Sequence, residues 1–149
     1  MKTFKPISAI IAFFIVAITG CNYSSTAINS EKDKAAAESV AGMLYLDIQN
    51  KDYDDPAKLF SKQFFTVTSR EKLKEIFVST NKKLGDLKDT NLTKWDTKVV
   101  KGTNPSANYQ LVYNNTYKNY AAEEIITLIM EDGKIKIIGY RINSEGFFK

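Results

Sequence analysis

The hydrophobic period of this chain changes once, at Gly85, and that switch limits what it can fold into more than any other feature. Upstream, apolar residues recur every three to four positions; downstream they alternate. Ala36, Val40, Leu44 and Ile48 are spaced by four, with Ala37, Ala41 and Tyr45 beside them. This predicts a helix from an N-cap at Ser30 to about residue 50, with Glu31 and Asp33 in the first turn, where the helix dipole favours negative charge. Pro56, behind Asp55, suits the first turn of a short second helix that carries Leu59 and Phe60 inward. Thr68-Ser69-Arg70-Glu71 fits a capping box and opens a third helix. Its stripe is Leu73, Ile76, Phe77, Thr80 and Leu84, and it stops where Lys82 and Lys83 precede Gly85 at the C′ position.

Beyond Gly85, residues 93–101 read as a strand bearing Trp95, Val99 and Val100, and 102–106 as a turn. Tyr109, Leu111, Tyr113, Asn115 and Tyr117 alternate with Gln110, Val112, Asn114 and Thr116, the pattern of a half-buried strand. Residues 123–131 are apolar on both faces, which predicts a central strand covered on both sides or packed on a partner. Asp132-Gly133 supplies the positive φ angles of a tight hairpin turn, and 134–143 return as the last strand. The expected class is α+β: three N-terminal helices packed on a four-stranded antiparallel sheet. A domain spanning 35–149 buries roughly two thirds of its surface, enough for one core and not two.

The chain holds a single cysteine, Cys21, which closes Ile18-Thr19-Gly20-Cys21 behind an uncharged run at 7–20 and a basic start with Lys2 and Lys5. The run is short for a membrane span, which needs roughly 20 apolar residues, and it resembles the signal of a bacterial lipoprotein. The resemblance implies a signal peptide at 1–20 and a diacylglyceryl thioether on Cys21 as the mature N-terminus. It also implies a membrane-held protein facing the periplasm or the cell exterior. Two or more acyl chains hold a protein stably on a bilayer. The same run can be read as a buried helix ending in a core cysteine, or as a secretory signal with an incidental one. Residues 21–34 are expected to form the anchor and a polar tether.

Lys83-Leu84-Gly85 at the end of the third helix and Gly139-Tyr140-Arg141-Ile142 in the last strand, with the order of elements, resemble the nuclear-transport-factor-like, cystatin-like cone fold of small bacterial envelope domains. The likeness covers about 35–143 and implies a curved sheet wrapped around its helices. This fold hosts isomerases, dehydratases, ligand binders and interaction modules, so it implies little about function.

Two of the 21 lysines and arginines lie ahead of Cys21, leaving 19 against 17 acids. That small excess, spread along the chain, argues against a nucleic-acid partner. With no histidine in the sequence, Ser-His-Asp triads, Cys-His pairs and the usual zinc sites are excluded. Asp52-Tyr53-Asp54-Asp55 opens like a calcium loop, yet Pro56 and Ala57 break the pattern, and a solvated turn is expected instead of a metal site. No cofactor is expected. Glu123 and Glu124 point to opposite faces of their strand, so at most one enters the interior. The cone resemblance implies that such an acid, or Asp47, could serve as a base with a raised pKa; the favoured reading of these carboxylates is solvated charges at the sheet edge. Tyr109, Tyr113 and Tyr117 share one face and are candidates for a pocket, an interface or plain sheet packing. Leu128 and Ile129, on alternate faces of the doubly apolar strand, are candidate interface positions. The expected function is a non-enzymatic binding or interaction module. Its partner would be a second copy, an envelope protein or a small apolar ligand. The alternatives are a small isomerase-like enzyme using a cavity carboxylate and a tyrosine, and a purely structural or stress-related surface protein.

Overall fold

A serine sets the start of each helix. In the computed structural model, which describes residues 24–149, Ser30 Oγ accepts the Asp33 N–H at 3.4 Å and Ser69 Oγ accepts the Lys72 N–H at 3.1 Å. These caps open helix α1 (Glu31–Asn50) and helix α2 (Arg70–Leu84). The second cap lies one residue beyond the expected Thr68. Lys51, at φ 61°, ends α1 in the left-handed region, and Gly85, at φ 82°, ends α2 with its N–H on the Asn81 carbonyl.

The expected middle helix is not α-helical. Asp55–Leu59 and Phe64–Thr66 are single 3-10 turns, because the residues between them are taken by the sheet. Phe60 is extended and bridges to Ile137, the Ser61 N–H donates to the Ile137 carbonyl at 2.8 Å, and the Lys62 N–H donates to the Glu131 carboxylate. Among the described residues, two α-helices therefore stand where three were expected.

The sheet there has five antiparallel strands, not four, in the order β1 (Ser25–Ile28), β2 (Leu87–Lys101), β3 (Ser106–Tyr117), β4 (Ala121–Glu131) and β5 (Lys134–Asn143). The additional strand is β1. Residues 25–28, expected within the tether, pair with 98–101 on the edge of the sheet. β2 starts at Leu87 rather than near residue 93, and carries register shifts between Leu87 and Asp89 and between Leu92 and Lys94. A further 3-10 turn, Glu145–Phe148, follows β5 and packs on α2 and β4. A Cβ on Gly146 would come within 2.5 Å of Leu84 and Tyr120, so this contact has no room for a larger residue.

One face of the sheet meets the helices. Tyr109, Leu111, Tyr113 and Tyr117 of β3, Ala122, Ile126 and Leu128 of β4 and Ile137 of β5 are buried with Leu44 and Ile48 of α1 and Leu73, Phe77 and Leu84 of α2. On the other face Val112, Ile125 and Ile129 are half-buried. Among the described residues no helix is long and apolar enough to cross a membrane.

Candidate functional site

Glu124 is the one fully buried carboxylate among the described residues. Strand alternation puts it in the core: it shares the inward parity of Ala122, Ile126 and Leu128, while Glu123 is exposed on the opposite face. Each of its oxygens accepts a short hydrogen bond, one from the Tyr117 hydroxyl of β3 at 2.6 Å and one from the Tyr140 hydroxyl of β5 at 2.7 Å. These strands flank β4, and Glu124 pairs in register with Tyr113 on one side and Ile142 on the other. Tyr45 of α1 and Asn115 of β3 face the same carboxylate closely enough to favour its charged form. Neither Tyr45 Oη nor the Asn115 amide completes a well-formed hydrogen bond among the described residues.

Aromatic packing holds this group in place. Tyr45 meets Tyr113 edge-on with ring centroids 5.0 Å apart, and Phe77 of α2 meets Tyr140 at 5.4 Å. Burial is the first cause that raises the Glu124 pKa above its ordinary value, and the hydrogen bonds from Tyr117 and Tyr140, with the nearby Asn115 amide and Tyr45 hydroxyl, only partly offset it. Burial also raises Tyr117, Tyr140 and Tyr45, and the adjacent Glu124 charge pushes each of them further up. The arrangement is one buried acid with each oxygen held by a phenol hydroxyl.

It is sealed. The larger surface hollows lie elsewhere: one of about 450 Å³ runs past Asn114, Glu123, Asn143 and Phe148, and one of about 350 Å³ lies between Lys58, Lys62, Arg70 and Lys134. Of the residues singled out from the sequence, Tyr109, Tyr113 and Tyr117 line the interior together, and Tyr117 alone binds the acid. Glu123 borders a surface hollow, Leu128 lies in the core, and Ile129 is half-buried on the outer face. Cys21 lies outside the described residues, as do residues 1–20, expected to form a signal peptide. Asp47 is half-buried near the end of α1, with its pKa raised by burial and then by Asp55 and Asp52. The Asp52–Asp55 turn is tied to its surroundings: Asp52 accepts the Asp55 N–H, Asp54 pairs with Lys74, and Asp55 with Lys58. The sequence does not single out Tyr140, Tyr45 or Asn115 as partners of an acid. Asn115 carries a signal, as the one amide within the apolar inward run of β3.

The fold and this cluster define an α+β domain with a five-stranded antiparallel sheet and a tyrosine-bound acid in its core. Compared with known proteins, the chain matches no family model and no curated sequence.

The cluster makes a prediction about pH. A raised native pKa means that the folded chain keeps the Glu124 proton to higher pH than the unfolded chain, whose glutamate titrates near about 4.3. Stability from the protonated acid is then complete below that value and falls as pH rises through the native one. Glu124→Gln should remove this fall. Denaturation midpoints of variant and wild type should run parallel below about pH 4 and diverge in favour of the variant above it. The divergence should reach ~1.4 kcal/mol for each pH unit that separates the folded from the unfolded titration. Identical pH slopes would show that the acid titrates normally. Tyr117→Phe leaves one carboxyl oxygen unpaired and should cost about 1–3 kcal/mol.

Proposed function

We propose that this chain is a bacterial lipoprotein, held by acyl chains on Cys21 to the outward side of a cell membrane, whose folded domain binds another molecule rather than catalysing a reaction. The anchor is supported by the Ile18-Thr19-Gly20-Cys21 word behind an uncharged run and a basic start. The observation that carries the non-catalytic reading is the burial of the acid. A general base must come within hydrogen-bond reach of a substrate proton, and both Glu124 oxygens are occupied by tyrosine hydroxyls inside a filled core. Polar groups so placed contribute a specified core rather than a reaction chamber.

The second reading, a small isomerase-like enzyme, draws on the same residues, since an acid of raised pKa between two phenols is a composition used for proton transfer. Glu124→Gln separates the two in a strain lacking the native gene. The binding module keeps its cellular function with this variant, because the amide fills the same volume. An enzyme loses its function while the variant remains folded.

The anchor has its own test. Cys21→Ser should abolish incorporation of labelled fatty acid and leave an unprocessed precursor. Equal labelling of variant and wild type would reject the lipoprotein reading.

A further inference from the structure

The first strand joins the proposed anchor to the sheet at a defined place. Ser25 pairs with Lys101 at the end of β2, Val100 with Ser106 at the start of β3, and Asn108 with Ile129 near the end of β4. Glu131 faces Lys134 across the last turn. The start of β1, the β2–β3 turn and the β4–β5 turn therefore share one end of the sheet. The β3–β4 turn lies at the other end, where the Asn119 N–H donates to the Leu84 carbonyl at the close of α2. A strand as long as β3 separates the two ends by roughly 35–40 Å.

Four residue steps connect Cys21 to Ser25, and a fully extended chain of that length reaches at most about 14 Å. A cysteine held in a bilayer would thus keep the near end of the sheet beside the headgroups and the far end well clear of them.

The near end has the chemistry of a lipid contact. A hollow of about 320 Å³, mostly apolar, is lined there by Val99, Pro105, Ala107 and Met130, and Met130 is 44% exposed. Lys101 borders this hollow and is exposed. Exposed Lys62, Arg70 and Lys134 line the neighbouring hollow beside the β4–β5 turn together with Glu131 and Asp132; Lys62 is paired with Asp132, Glu131 accepts the Lys62 N–H, and Lys134 is in no ion pair among the described residues. Basic side chains within a Debye length of an anionic leaflet are attracted to it.

We propose that this end of the sheet lies on the anionic bilayer that holds the anchor, with its apolar hollow against lipid and Lys101 and Lys134 at the headgroup phosphates. The proposal rests on the lipoprotein reading and adds a fixed orientation to it. Its test uses the acylated full chain in vesicles that contain phosphatidylglycerol and a headgroup-nitroxide lipid. A fluorophore is placed through Thr103→Cys in the β2–β3 turn or Lys118→Cys in the β3–β4 turn, and acylation is verified by mass. The expected result is quenching several-fold stronger at position 103 than at 118, reduced by Lys101→Glu with Lys134→Glu and on phosphatidylcholine alone. Equal quenching at the two positions of an acylated protein overturns the orientation and leaves the anchor standing. Quenching at 103 that ignores both the charge reversal and the lipid overturns the anionic contact. A chain that is never acylated overturns the anchor and this proposal with it.

Discussion

Leu128→Lys is expected to unfold the domain, and Ile129→Lys to leave it folded. The two residues are neighbours on β4 and similar in size, so the contrast isolates the face. Leu128 is fully buried beneath the helices and pairs with Tyr109 and Ile137. An ammonium there would be desolvated with no partner, a cost of several kcal/mol against a total stability of about 5–15 kcal/mol for a domain. Ile129 is half-buried on the open face, between Asn108 and Lys136 in the register. Its replacement keeps the charge in water and should shift stability by about 1 kcal/mol or less. Far-ultraviolet circular dichroism with urea titration of both variants reads the difference. Two folded variants, or two unfolded ones, would show that the sheet has a different inward face.

Phe77→Ala should cost about 3–5 kcal/mol, through lost transfer energy and the cavity left behind. Phe77 is 2% exposed and its ring lies on Tyr140, so the space opened adjoins a phenol that holds Glu124. Leu73→Ala, one turn earlier on the same stripe and 1% exposed, should cost about 2–5 kcal/mol. Lys74→Ala sits between them on the solvent side in an exposed pair with Asp54, and should change stability by about half a kcal/mol. The three urea midpoints, at equal slopes, order these costs. Because Phe77 supports Tyr140, Phe77→Ala combined with Tyr140→Phe should fall short of the sum of the single effects. Additive losses would mean that helix and acid are held independently.

Away from the Met130 hollow, the exposed apolar residues give no comparable handle on function. Phe148 at 87%, Val67 at 84% and Ile28 at 65% stand on separate elements, and scattered apolar side chains of this kind are ordinary on folded surfaces.

The elements visible in the sequence are those whose pattern is local. α2 combines a serine cap, a stripe at helical spacing and a terminal glycine, and each acts within one or two turns of chain. The inward run from Tyr109 to Tyr117 on β3 is unbroken because that strand keeps its alternation throughout. Asp132 and Gly133 both adopt positive φ, as a two-residue hairpin requires.

What the sequence conceals is set by contacts between distant segments. The start of β2 is hidden because its register shifts put Leu92 and Trp95 on the same face, three residues apart, and alternation fails across such a bulge. β1 has no pattern of its own and is a strand only because β2 offers it an edge. Phe60 has the neighbours of a helical residue but is drawn out by Ile137 from the far end of the chain. The acid follows the same division. By itself the sequence determined that at most one of Glu123 and Glu124 can face inward, because adjacent strand residues cannot share a face. Only the tertiary structure decided that it is Glu124, and that Tyr117 and Tyr140 meet it. That meeting depends on two strand registers and a helix packed over them, and no short stretch of residues encodes it.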